Sequence, residues 1–275
     1  MSAEVGSPGS PGSPGTVVFF HAHPDDEAIF TGGTMALLAA AGWRVVLVVA
    51  TAGEQGLTSA LIGPDVPLAV RRTGETAQAA ELLGAQRIEF LGYHDSGLDG
   101  PNDARPVGAF ADAPVPEAAA RLAGILAEEQ AAAVVSYDAR GIYGHVDHIQ
   151  VHRVGLAAAA EAGVPTVYES TVDREYLHFV ETHLVVEATV AAQPERAVVG
   201  LGLAAAPLGL STVEVDCTVD VRPVLAIKRR AMAAHASQIP ETSSAMRLPD
   251  ADFAAVYGYE WYGRRGPLGP IDALG

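Results

Sequence analysis

From Thr16 the chain alternates between runs of β-branched or aromatic residues and runs rich in Ala and Leu. Thr16-Val-Val-Phe-Phe-His-Ala22 is apolar almost throughout, as a strand covered on both faces must be. A polar break at His23-Pro-Asp-Asp26 leads into Glu27–Ala41, closed by Gly42, which predicts a helix with a glycine stop. Further strands are expected at Trp43–Ala50, Arg87–Leu91, Ala132–Ser136 and Thr166–Tyr168, with helices at Pro67–Leu83, Pro116–Glu129 and Val146–Ala162 between them. Strand and helix in turn predict an α/β fold, a mostly parallel sheet with helices on both faces. Ligands in such folds bind beyond the carboxyl ends of the strands. Gly53–Asp65 and Gly92–Val115 both follow strands and exceed the usual connection of about 2 to 6 residues, so they are expected substrate walls.

The last third reads differently. Thr212–Arg222 alternates, with Val213, Val215, Cys217, Val219 and Val221 on one face, which predicts a half-exposed strand. Pro223 suits the first turn of a helix reaching about Gln238, and the tail to Gly275 has little periodicity. Residues 16–275 are therefore expected to form one domain with an added C-terminal strand and helix. In front of it, residues 1–15 carry three Gly-Ser-Pro triplets, too few for a collagen helix and read as a flexible tail.

Charge and composition narrow the partners. A net charge of −16 is the opposite of a phosphate-neutralising surface, which excludes nucleic acid and disfavours anionic membrane. Beyond the tail the longest uncharged stretch, Ala197–Val213, is interrupted by Gly200, Gly202, Pro207 and Gly209 and falls short of the roughly 20 apolar residues of a membrane span. The single cysteine, Cys217, excludes an intramolecular disulfide and sits on the apolar face of its strand as an inert thiol. With neither a basic nor an apolar region at the N-terminus, a cytoplasmic protein is expected. A homo-oligomer is compatible with all of this.

Two polar clusters carry the chemistry. His21-Ala-His23-Pro24-Asp25-Asp26-Glu27 stands where the first strand meets the first helix, and Tyr137-Asp138 to Tyr143-Gly144-His145-Val-Asp147-His148 stands at a later strand–helix junction. Parallel strands deliver both to one sheet edge, so His23, Asp26 and His148 can form a two-imidazole, one-carboxylate metal set. That set leaves a fourth position for water, as in catalytic zinc sites, although Fe²⁺ or Co²⁺ suits the same donors. Asp25 would accept a proton from the activated water. His145 would protonate a leaving amine or stabilise the tetrahedral intermediate, with Asp147 orienting its ring. Tyr143 would hydrogen-bond the oxyanion, on a loop loosened by Gly141 and Gly144. His21 and His152 read as supporting residues.

These residues resemble the LmbE-like or PIG-L zinc deacetylases, through Ala22-His-Pro-Asp-Asp-Glu27 followed by Gly32-Gly33, through Gly144-His-Val-Asp-His148, and loosely through Lys228…His235-Ala-Ser-Gln238. The resemblance runs from Thr16 to about Gly163 and covers the C-terminal third weakly. It implies a Rossmann-like fold, a divalent metal on His23, Asp26 and His148, Asp25 as general base, and His145 as general acid or electrostatic stabiliser. Tyr143 is similar to the mobile tyrosine of mycothiol-pathway members. Glu54, Arg71 and Asp95 resemble positions that hold sugar or inositol hydroxyls, groups that carboxylates and Arg suit. Val146 departs from the proline of many relatives without removing a functional group.

Members of that family remove acetyl or acyl groups from amino sugars, including N-acetylglucosaminyl inositol lipids and intermediates of mycothiol and bacillithiol synthesis. The expectation is a metal-dependent N-deacetylase acting on a small acylated amino sugar or its conjugate. Alternatives are an amidase of mycothiol conjugates, a metal-dependent hydratase of a small keto acid, and a non-catalytic metal-binding module. Gly200-Leu-Gly202-Leu-Ala-Ala205 fits a dinucleotide fingerprint, but its preceding strand would be three residues long and Pro207 would break its helix.

Overall fold

The computed structural model describes residues 14–56, 66–97, 105–190 and 208–275. Seven strands, β1 (Thr16–His21), β2 (Arg44–Thr51), β3 (Arg87–Tyr93), β4 (Ala133–Tyr137), β5 (Thr166–Thr171), β6 (Cys217–Asp220) and β7 (Tyr259–Arg265), form one sheet in the order β3-β2-β1-β4-β5-β7-β6. The first five are parallel, while β7 runs antiparallel to both β5 and β6. Along β1, Val17 and Phe19 enter one apolar cluster and Val18 and Phe20 enter the other. Burial on both faces is why the run lacks a polar alternation.

Helices cover each face. Met35 and Leu38 of α1 (Gly32–Ala40), Leu83 of α2 (Leu68–Leu83) and Met232 of α7 (Leu225–Ala234) fill the first cluster. Leu122 of α3 (Val115–Glu128) and Val151 and Val154 of α5 (Val146–Ala162) fill the second. A short turn α4 (Gly141–Gly144), α6 (Arg174–Val190), α8 (Ser244–Arg247) and α9 (Asp250–Tyr257) complete the helices named here. The result is the mostly parallel, Rossmann-like α/β architecture expected. Among the described residues no helix is long and apolar enough to cross a membrane.

Topology fixes where the site lies. The chain leaves β1 for β2 and β3, then returns to place β4 on the other side of β1. This reversal opens a crevice at the carboxyl ends of β1 and β4. The two polar clusters of the sequence issue from those two strands.

Several elements differ from the sequence expectation. The helix expected over Glu27–Ala41 begins as a π-helical turn, Glu27–Thr31, before α1 starts at Gly32. Thr31 Oγ1 donates to the Glu27 carbonyl at 3.2 Å within that wide turn. The strand expected over Thr212–Arg222 contracts to Cys217–Asp220, because Ser211 and Glu214 cap each other around a 3₁₀ turn at Thr212–Glu214. Val213 is consequently 94% exposed. The helix from Pro223 ends at Ala234 rather than Gln238. α6 was not anticipated, and the segment read as aperiodic holds α8, α9 and β7. Cys217 is buried and free, as expected. The Gly200–Ala205 fingerprint, most of the Gly/Ser/Pro tail, most of Ala197–Val213 and parts of both long loops lie outside the described residues.

The C-terminal strands are pinned to α1 by one buried carboxylate. Glu260 accepts the Gly33 and Thr34 N–H groups, each at 2.8 Å, and Lys228 Nζ at 2.7 Å. Both Glu260 and Lys228 side chains are 1% exposed. Gly33 is the residue that fits, since a Cβ there would stand 2.3 Å from Val221 Cβ. Lys228→Met should cost about 3 kcal/mol, the low end for stranding a buried charge because two backbone donors remain. A urea-denaturation midpoint equal to wild type would contradict this.

Candidate metal centre and catalytic cleft

At the β1–β4 crevice, Asp26 Oδ2 lies 3.5 Å from His23 Nδ1 and 3.3 Å from His148 Nε2. Two donors bonded to one tetrahedral ion at about 2.0–2.1 Å stand roughly 3.3–3.4 Å apart, so these spacings match the edges of such a site. All three residues are buried. The other nitrogen of His23, Nε2, is 3.1 Å from Asp147 Oδ2 and 3.4 Å from Asp95 Oδ1. Asp147 is itself held by the Ser96 N–H at 2.9 Å and the Ser96 hydroxyl at 2.5 Å. Donation from His23 Nε2 to Asp147 leaves the Nδ1 lone pair free for a cation, the usual support of a metal-bound imidazole. Potential ligand atoms of His23, His145 and His148 lie within 4.8 Å of one another, as do those of His23, Asp95, His145 and Asp147. Imidazoles and carboxylates so arranged fit a divalent metal.

The turn that aims Asp25 and Asp26 apart is strained. Asp25 has φ 104°, a region a non-glycine residue keeps only under constraint. The constraints are visible: the Asp25 N–H donates to Glu27 Oε2 at 3.0 Å, and Arg72 donates to the carbonyls of Pro24 and, at 2.7 Å, Gly53. Arg72 also lies 3.4 Å from Asp25 Oδ1. Glu27 is fixed in turn by His235 Nε2 at 2.5 Å, across 208 residues of sequence.

Electrostatics follow from this packing. Burial raises the Asp25 carboxyl to about 7, with Arg72 opposing and Asp26 adding to the rise. For Asp26 burial pushes the same way, yet the imidazoles of His148 and His23 outweigh it and hold the group well below its ordinary range. His23 is carried well above its usual value because Asp147, Asp26 and Asp95 outweigh burial. His145 falls to about 4 through burial and the neighbouring His23 and His148. A bound cation would shift the whole set toward the deprotonated forms.

The second cluster is a tight turn. Gly141, Ile142 and Gly144 all have positive φ, at 63°, 64° and 93°, and Asp138 Oδ1 accepts the Arg140 and Ile142 N–H groups at 2.8 and 3.1 Å. A Cβ on Gly141 would meet both His148 Cβ and the Ile149 nitrogen at 2.6 Å, so only glycine lets α5 start this close. His145 caps α5, its Nδ1 accepting the Asp147 N–H at 3.2 Å. That bond leaves the proton of a neutral His145 on Nε2. The Tyr143 hydroxyl meets His148 Nε2 at 3.2 Å, and its side chain remains 42% exposed. Tyr143 and His145 border a cleft of about 380 Å³, whose walls also include Gln55, Arg72, Asp95 and Gln238.

The residues named from sequence thus fall into two groups. His23, Asp25, Asp26, Asp95, Tyr143 and His145 line one cleft, and His148 and Asp147 stand directly behind it. Asp147 corrects the expectation that its carboxylate orients His145. The carboxylate faces His23, because His145 spends its Nδ1 on the Asp147 backbone. Arg71 is not among the cleft residues, whereas Arg72 is; a step of about 100° along α2 separates their directions. Glu54 Oε1 joins His94 Nδ1 at 2.7 Å and the Asp95 N–H at 3.1 Å, tying the loops after β2 and β3 together. Ser96 gave no sequence signal of its part here, since it acts through Asp147, and although Glu27 and His235 both stand in matched motifs, their pairing joins residues 208 apart that no local pattern links. His21 is packed, with Nδ1 2.8 Å from the Tyr137 hydroxyl and Nε2 2.9 Å from Thr31 Oγ1. His152 bonds the Tyr137 carbonyl at 3.0 Å.

Residues 18–159 match the model of the family described as PIG-L, GlcNAc-PI de-N-acetylase. A protein of Nocardia farcinica (strain IFM 10152) named 1D-myo-inositol 2-acetamido-2-deoxy-alpha-D-glucopyranoside deacetylase is 38% identical, over 92% of this chain and 92% of its own. Among solved structures, A40926 pseudoaglycone deacetylase superposes with a TM-score of 0.60 at 17% identity, covering 92% of this chain and 98% of that one. The 4-carboxy-2-hydroxymuconate hydratase of Pseudomonas putida KT2440 superposes with a TM-score of 0.55 at 19% identity, covering 93% and 98%. At these identities the structural likenesses establish the fold, which serves more than one reaction.

Asp147→Ala should weaken divalent-ion binding about 10- to 100-fold by releasing His23 Nε2. Competition against a fluorescent chelator reads this directly, and an unaltered affinity would show that Asp147 does not support the ligand.

Proposed function

The chain belongs to the PIG-L family, an amide-hydrolase lineage, and from that premise we propose that it is a zinc-dependent N-deacetylase of a small amino-sugar conjugate such as an N-acetylglucosaminyl inositol. The observation that carries this reading is that Asp26 Oδ2 stands 3.5 Å from His23 Nδ1 and 3.3 Å from His148 Nε2, with Asp25 in the adjoining cleft. Residues 16–275 act as one catalytic unit, since β7 and β6 complete the sheet that carries the site.

His23, Asp26 and His148 would hold the ion. When bound, a zinc ion supplies Lewis-acid polarisation of the amide carbonyl and lowers the pKa of the attacking water. Asp25 takes the proton from that water. Its backbone is locked by Glu27 and Arg72, and its carboxyl is raised by burial toward neutrality, where a base can both accept and return a proton. His145 carries its proton on Nε2 and donates it as a hydrogen bond to the developing oxyanion. Tyr143 turns its hydroxyl from His148 to the same oxygen, a side-chain rotation for which its 42% exposure leaves room. Asp25 then passes the proton to the departing amine. The C–N bond breaks and the C–O bond forms, giving a carboxylate and a free amino sugar. Asp95, Arg72, Gln55 and Gln238 offer the donors and acceptors a polyol requires.

Acetate release from an N-acetylglucosaminyl inositol should stop on chelation and return with added zinc. Asp25→Asn should lower kcat about 10²- to 10⁴-fold, the range of a lost general base. Release that survives complete metal removal would overturn the metal-dependent reading, and an Asp25→Asn enzyme as fast as wild type would overturn the assignment of the base.

A further inference from the structure

Beside the catalytic cleft lies a second cavity of about 330 Å³, and Ile29 and Tyr143 line both. The two differ in chemistry and in place. Beyond the His- and Asp-rich junctions of β1 and β4, the cleft extends along polar residues of the loops after β2 and β3, Gln55 and Asp95. The second cavity is built on the other side of the β1–β4 crevice, from Val172 after β5, Trp261 of β7, Leu177 of α6 and Val256 of α9, with half-buried Leu208 also in its lining. Its charged members, Lys228 and Glu260, already neutralise each other at 2.7 Å. What they leave for a ligand is mostly a carbon surface.

We propose that this cavity receives the acyl part of the substrate amide and that the enzyme accepts straight acyl chains several carbons longer than acetyl. The inference rests on the amide-hydrolase reading above. A trigonal carbonyl carbon directs its two substituents about 120° apart. With that carbon beside His23, Asp26 and His148, an amine half rich in hydroxyls that turns toward Asp95 and Gln55 sends the acyl half toward Tyr143 and Ile29. Past those two residues the chain meets Trp261, Leu177 and Val256. Tyr143 forms the partition, on a turn whose backbone has positive φ at Gly141, Ile142 and Gly144, and its ring stacks on Phe30 with centroids 6.5 Å apart. The partition that contacts the oxyanion therefore also admits the chain, which makes Tyr143, Ile29 and the cavity behind them a determinant of acyl length.

The test compares kcat/KM of the wild-type zinc-loaded enzyme for N-acetyl, N-butanoyl and N-hexanoyl glucosaminyl inositol. Each methylene buried in carbon surroundings is worth about fourfold, so the hexanoyl substrate should be cleaved at least as efficiently as the acetyl one. Leu208→Trp, which adds bulk at a half-buried position of the lining, should lower the hexanoyl-to-acetyl ratio at least tenfold, with folding checked by circular dichroism. Ready cleavage of acetyl with a hexanoyl kcat/KM more than tenfold lower in wild type would overturn the acyl cavity while leaving the deacetylase reading intact. An unchanged ratio in a folded Leu208→Trp enzyme would overturn it as well. Cleavage of none of the three substrates would overturn the amide-hydrolase reading and, with it, this inference.

Discussion

Everything in this structure turns on one carboxylate oxygen shared between two imidazoles. Asp26 Oδ2 faces His23 Nδ1 and His148 Nε2, whose residues are separated by 125 positions but delivered to one point by adjacent parallel strands. Bringing these groups out of water is costly unless each charge has a partner. The fold meets that demand by pairing the second nitrogen of His23 with Asp147, and Asp147 with Ser96, before any cation is considered. A site so built, with Asp26, Asp95 and Asp147 facing His23 and His148, offers a donor set that fits a divalent cation.

Holding that arrangement stores strain in two turns. Asp25 and Ile142 both keep positive φ without being glycine, and each is over-determined by neighbours: Glu27 and Arg72 around the first, Asp138 around the second. Strain of this kind persists where surrounding structure enforces it, commonly at functional sites. Its effect here is to separate Asp25 from Asp26, so that adjacent carboxylates occupy different environments and titrate in opposite directions.

The C-terminal third contributes more than cover. His235 fixes Glu27, which fixes the backbone of Asp25, and Glu260 with Lys228 fixes the start of α1 beneath the same turn. β7 and α9 also supply the far wall of the apolar cavity next to Tyr143. A segment with weak motifs thereby sets both the rigidity of the Asp25 turn and the shape of the apolar cavity next to Tyr143.

The sequence alone determined the alternating α/β order, the buried parallel strands, and the two His- and Asp-rich junctions, because each depends on local periodicity or on residue types concentrated within a few positions. Parallel topology then made the meeting of His23, Asp26 and His148 a deduction from strand order. The tertiary structure alone decided which nitrogen of His23 faces which carboxylate, that Asp147 serves His23 rather than His145, and that Arg72 rather than Arg71 reaches the cleft. It also decided that β7, whose residues lack a clean two-residue alternation, joins the sheet. Those outcomes rest on contacts between remote residues, such as Glu27 with His235 and Glu260 with Gly33, and no periodicity within either segment encodes a partner two hundred residues away.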